Sequence, residues 1–114
     1  MIRQFDTIIK QRGVLLAKGR LLGLQFDTLF TDGLYVKIAR HAIDMAERIV
    51  EGLKAYGYTF FIRPQSNQLF VTLENCLFER LVQRVGFEVW EKRADGTTVV
   101  RIATSWATRE EDVA

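Results

Sequence analysis

The sequence predicts an α+β fold: a two-layer sandwich in which a small antiparallel sheet of about four strands is covered by helices, preceded by a long N-terminal helical segment. Three observations carry this. Apolar residues recur at steps of three and four from Asp32 to Tyr56, the mark of a long amphipathic helix. After Gly57 the period changes to short runs rich in aromatic and β-branched residues. Two turn signals, Pro64-Gln65-Ser66-Asn67 and Ala94-Asp95-Gly96, divide those runs into strand pairs. At 114 residues the chain reads as a single domain, 1–114, with 1–31 a helical connecting segment and 32–114 a small C-terminal α+β domain.

Residues 2–30 open with helical spacing, Ile2, Phe5, Ile8/Ile9 and Arg12 setting one apolar and one basic edge. Gly13, Gly19 and Gly23 then interrupt the run. Each costs a helix about 1 kcal/mol relative to Ala, so the segment reads as several short helices or as one held by close packing. In the long helix the inner row is Leu34, Ile38, Ala42, Met45, Ile49, Leu53 and Tyr56. Thr31 or Asp32 is suited to cap its start, Arg40–Asp44–Arg48 to form an i,i+4 ladder, and Gly57 to supply the left-handed stop. A second apolar row, Tyr35, Ala39, Ile43, Ala46 and Val50, makes the stripe wider than a surface helix needs, which predicts packing on two neighbours.

Tyr58–Arg63 and Gln68–Leu73 read as strands joined across the proline loop. Asn75 is a suitable cap for a short helix with Leu77, Phe78, Leu81, Val82 and Val85 inward, ended by Gly86. Phe87–Lys92 and Thr98–Ser105 read as strands on either side of the Asp-Gly hairpin. Thr108 followed by Glu110, Glu111 and Asp112 has the form of a cap and a first helical turn.

Composition excludes several classes. With 48% hydrophobic and 26% charged residues the chain is neither disordered nor membrane-like. Its longest unbroken apolar run is Val14–Ala17, so no bilayer span and no membrane partner are expected. The start lacks an apolar stretch behind its charge, so no secretory signal is expected. The single cysteine, Cys76, excludes an intrachain disulfide and suits a reducing cytoplasm. A net charge of +2 is too mild to argue for nucleic acid. The basic residues Arg3, Lys10, Arg12, Lys18 and Arg20 of the first segment read as a solvated or subunit-facing edge.

The reactive residues permit little chemistry. One histidine, His41, and one cysteine cannot make a closed zinc site, and no carboxylate cage is in view. His41 reads as a polar-edge helix residue rather than part of a triad with Ser66 or Ser105. Cys76 reads as a buried, inert thiol. No glycine-rich phosphate loop follows a strand. One position asks for a polar partner: Arg101 interrupts Val99-Val100-Arg101-Ile102-Ala103, where it either lies on an exposed sheet face or holds a rigid guanidinium ready to take a carboxylate bidentately.

Four pieces, taken in order, are not anonymous: Lys10-Gln11-Arg12-Gly13-Val14-Leu15-Leu16-Ala17-Lys18-Gly19-Arg20; Asp32-Gly33-Leu34-Tyr35 with Ala39-Arg40-His41-Ala42; Asn67-Gln68-Leu69-Phe70-Val71; and Val100-Arg101-Ile102-Ala103-Thr104-Ser105-Trp106-Ala107-Thr108. Together they resemble the C-terminal part of low-specificity L-threonine aldolases, of the β-eliminating lyase group of fold-type I pyridoxal-phosphate enzymes. The resemblance runs from about Phe5 to the end. It implies the small C-terminal domain of such an enzyme, with Arg101 at the position that binds the substrate α-carboxylate. It also implies Lys10 and Arg12 as candidates for cofactor or interface contacts.

The Schiff-base lysine, the ring-stacking residues and the acid that pairs with the pyridine nitrogen belong to the family's large domain. The chain reads as beginning just after that lysine, and none of Lys10, Lys18, Lys37, Lys54 or Lys92 matches its motif. The resemblance therefore implies a piece with no catalytic residue, no metal and no cofactor held by this chain alone, although the family uses pyridoxal phosphate. Its expected partners are the missing large domain or further copies of itself, with an amino-acid carboxylate as ligand. A rival expectation is a stand-alone module that keeps the small-domain fold and self-associates through its apolar faces. A third is a small carboxylate-binding protein built on Arg101.

Overall fold

The computed structural model describes residues 3–14 and 18–114; Ile2 and residues 15–17 of the apolar run lie outside the described residues. The chain divides into two compact units, Met1–Tyr35 and Val36–Ala114.

In the first unit the helical run is broken. Helix α1 spans Phe5–Gln11 and α2 spans Gly19–Phe30. Gly13, with φ +68°, adopts the left-handed backbone that glycine alone accepts without strain. Neither helix buries a residue. Phe26 stacks on Phe30, which leans on Tyr35 with ring centres 5.4 Å apart. A 3₁₀ turn over Thr31–Gly33 leads to the long helix α3, Leu34–Ala55. The expected cap is not used as such. The Thr31 hydroxyl donates back to the Asp27 carbonyl at 2.6 Å, closing α2, and Asp32 has φ +51°, away from the extended backbone of a helix N-cap.

The C-terminal end of α3 follows the expectation. Gly57 (φ +80°) donates to Lys54 O and Tyr58 to Leu53 O, the paired bonds of a Schellman stop. On its solvent side Arg40 meets Asp44 at 2.8 Å, but Arg48 leaves the expected ladder and pairs with Glu110 at 3.0 Å. Helix α3 also meets the C-terminal segment through polar contacts. The buried Thr104 hydroxyl donates to Ala42 O at 2.6 Å, and His41 Nε2 donates to the Thr108 carbonyl at 2.8 Å. Thr108 does not cap a helix. Its hydroxyl accepts the Ser105 N–H, and the short 3₁₀ turn Glu110–Asp112 has Arg109 at its N-cap.

The second unit is an antiparallel sheet of order β1-β2-β4-β3, built from Thr59–Phe60, Gln68–Glu74, Thr97–Ala103 and Glu88–Lys92, with helix α4 (Asn75–Leu81) between β2 and β3. The α+β expectation holds. Strand β2 alternates strictly, and Leu69, Val71 and Leu73 turn to one face. There, with Val100 and Ile102, they meet Ala46, Ile49, Val50 and Leu53 of α3 and Leu77, Phe78 and Leu81 of α4. This is the core.

Helix α4 is shorter than expected. It stops at Leu81, and Val82 and Val85 are exposed. Asn75 does not cap it; its side-chain oxygen accepts the hydroxyl of Thr98 at 2.7 Å. Thr98 is buried, and a buried hydroxyl left without a partner is costly. The Asp95-Gly96 hairpin forms as expected, with Gly96 at φ +83° and the Asp95 carboxylate accepting from both the Thr97 N–H and its hydroxyl.

Candidate functional site

Arg101 lies midway along β4. Its neighbours Val100 and Ile102 enter the core, so strand alternation sends the guanidinium to the face of the sheet opposite the one on which α3 and α4 pack. The register sets Phe70 of β2 on one side of it and Glu88 of β3 on the other. Its Nε donates to Glu88 Oε2 at 2.9 Å, and one terminal nitrogen donates to the same oxygen. The other terminal nitrogen donates to Gln68 Oε1 at 3.3 Å. The arginine side chain keeps 30% of its exposure and Glu88 58%.

Beside this group Phe70 and Trp90 meet edge to face, with centroids 4.9 Å apart. Trp90 sits at a bulge between Val89 and Glu91, which inserts an extra residue in β3 and re-aims its side chain. The result is a fixed guanidinium beside an aromatic pair on a rigid strand. A guanidinium is the matched partner of a carboxylate, and here Glu88 of the same chain supplies one.

The other sequence candidates lie elsewhere. Lys10 is in the last turn of α1 and Arg12 at its C-cap, both exposed and both in the first unit. Cys76 is exposed rather than buried: α4 turns Leu77, Phe78 and Leu81 inward, leaving position 76 outside the core. No group of three or more metal-ligating side chains occurs among the described residues. No helix among them is long and apolar enough to cross a membrane. Lys10, Lys18, Lys37, Lys54 and Lys92 are all exposed.

Glu88 and Gln68, the partners of Arg101, were not singled out in the sequence, because only the pairing register brings them together. An open groove of about 350 Å³ between α3 and the loop after β1 was also not foreseen. It sets Glu47 and Glu51 against Lys54 and Arg63, so its rim charges cancel and select no single ligand charge.

Compared with solved structures, the chain matches a threonine aldolase from Leishmania major at 39% sequence identity and a TM-score of 0.86, over 98% of this chain and 33% of that one. The chain thus spans about a third of the length of that relative, and the resemblance seen in four separate pieces of sequence extends to nearly the whole chain. No family model matches the chain, and no curated protein matches it.

Proposed function

We propose that this chain is the C-terminal, carboxylate-holding part of a threonine-aldolase-like lyase, in which Arg101 grips the α-carboxylate of a β-hydroxy amino acid. The likeness to a threonine aldolase over 98% of the chain carries the reading. The position of Arg101 supports it: a guanidinium held on a central strand is the matched partner for a carboxylate.

In this reading the whole enzyme, working in the cytoplasm, cleaves β-hydroxy amino acids to glycine and an aldehyde, and pyridoxal phosphate supplies the electron sink. This chain's own contribution is narrower. Arg101 binds and orients the carboxylate, while Lys10 and Arg12 serve as contacts to the cofactor or to a neighbouring subunit. The described residues do not fit the cofactor by themselves. A lysine that forms an imine must be activated by desolvation or by a neighbouring cation, and every lysine of the chain is exposed. No cleavage step is therefore assigned to these residues.

The purified chain, supplied with pyridoxal phosphate and L-threonine, is expected to release neither glycine nor acetaldehyde. Threonine turnover by the chain alone overturns the proposal.

A second reading, a stand-alone module that self-associates, is favoured by α2, where Leu21, Leu22, Leu24, Phe26 and Phe30 are all exposed. Light scattering over a concentration series, with pyridoxal-phosphate absorbance read on the same samples, separates the two. A discrete oligomer without cofactor supports the module. A monomer or a polydisperse aggregate supports the incomplete enzyme.

A further inference from the structure

Both edges of the Arg101 guanidinium are engaged by oxygens of the same chain: Glu88 Oε2 takes Nε and one terminal nitrogen, and Gln68 Oε1 takes the other. We infer that Glu88 is an internal stand-in for the ligand carboxylate, holding Arg101 closed until an incoming carboxylate displaces it. The inference rests on the reading of Arg101 as the carboxylate-binding residue.

Three features make Glu88, not Arg101, the group that yields. Glu88 belongs to the edge strand β3 and is the more exposed partner, so its side chain can swing into water without disturbing the core. Arg101 belongs to β4, paired on both sides, and lies opposite Phe70. The Glu88 contact is also an incomplete one: two N–H groups converge on a single oxygen, where a parallel two-oxygen fork gives the stronger bidentate pair. A free carboxylate is not tethered to β3 and can take that parallel geometry. Two carboxylates cannot share the same edge of one guanidinium without repulsion, so the exchange is competitive. Gln68 is neutral and can stay in place through the exchange.

When the competent state is only a fraction of the population, apparent affinity falls by that fraction. A partly exposed ion pair of this kind lowers carboxylate affinity by about two- to fivefold.

The test is a titration of the isotope-labelled chain with acetate and with L-threonine, following the backbone amide resonances of β2 and β4 around position 101 in every variant, with the Arg101 Nε–H resonance added where Arg101 is present. Glu88→Gln is expected to bind both probes about two- to fivefold more tightly than the wild type, and Arg101→Gln to abolish the response. Equal affinity in wild type and Glu88→Gln, with the Arg101→Gln loss intact, overturns the stand-in and leaves the carboxylate reading standing. No Arg101-dependent response in either protein overturns both. Should Glu88→Gln disturb the sheet, seen as lost amide dispersion of β2 and β4, Glu88→Thr is read in its place. It removes the charge with a residue that strands favour.

Discussion

The two units of the chain are both rich in apolar side chains, and they treat them in opposite ways. In Val36–Ala114 the apolar residues of β2, β4, α3 and α4 converge, and Leu69, Val71, Val99 and Val100 have essentially no exposure. In α1 and α2 nothing is buried, and Leu21, Leu22, Leu24, Phe26 and Phe30 stand open. Content is not the difference. A seven-residue strand paired along its whole length to another offers a flat face on which two helices can lie. Helices of seven and twelve residues, the first followed by a left-handed glycine and the second holding Gly23, have no such platform and are marginal alone. A core needs a second layer, and in the first unit α1 and α2 do not make one for each other.

The sharpest way to break this contrast is a pair of truncations. Leu69→Ala removes a fully buried side chain between β2 and α3 and is expected to destabilise the chain by about 2–5 kcal/mol in urea unfolding. Leu24→Ala, on the exposed α2, is expected to stay within about 0.5 kcal/mol. Equal losses would mean that α2 is as integral to folding as the sheet, and the contrast would fail.

Next in size is the stop of α3. Gly57 sits at φ +80° with open space where a Cβ would be, so Gly57→Ala meets no clash and reports backbone strain alone. A loss of about 1–2 kcal/mol is expected, measured against the wild type in the same unfolding experiment. No loss would show that the left-handed backbone at position 57 costs an alanine nothing, and that the stop does not depend on glycine. Thr104→Val keeps the shape and removes the hydroxyl that ties β4's exit to Ala42 of α3. It is expected to cost about 1 kcal/mol. A smaller effect would make the polar contact of α3 with the C-terminal segment incidental.

The elements these tests address differ in how far they could be foreseen. The α3 helix, the β2 alternation and the Asp95-Gly96 hairpin were legible because each is set by local period or turn chemistry. The site was half legible. An arginine between core valines and isoleucine must point away from the core, so Arg101 was conspicuous. Glu88 was not, because its place opposite Arg101 depends on a strand register and a bulge that no local pattern encodes. Strand β1 was overread from Tyr58–Arg63. The ladder holds Thr59 and Phe60, Phe61 adds one bond to Phe70, and Pro64 has no N–H with which to continue. In α4 the apolar spacing ran on through Val82 and Val85, but spacing says which residues would share a face and not how far the sheet beneath extends.

The smallest expected effect sharpens the contrast from inside the ordered unit, at the hairpin that joins β3 to β4. Asp95 lies on the surface, yet its carboxyl is held below its ordinary value of 3.8, chiefly by the Thr97 hydroxyl, with the Thr97 N–H and the Arg93 guanidinium adding to it. A depressed folded-state pKa means that the unfolded chain takes up the proton first as pH falls. The stabilisation is therefore complete above the ordinary carboxylate range, declines below about pH 4, and is gone once pH passes beneath the folded value. Asp95→Asn should flatten this part of the acid limb in a pH series of thermal unfolding and leave the curve above pH 6 nearly parallel to the wild type. If the acid limb keeps its slope, Thr97 does not favour the charged form, and the hairpin is held by its backbone geometry alone, with Gly96 at φ +83° and Arg93 N–H bonded to Thr97 O.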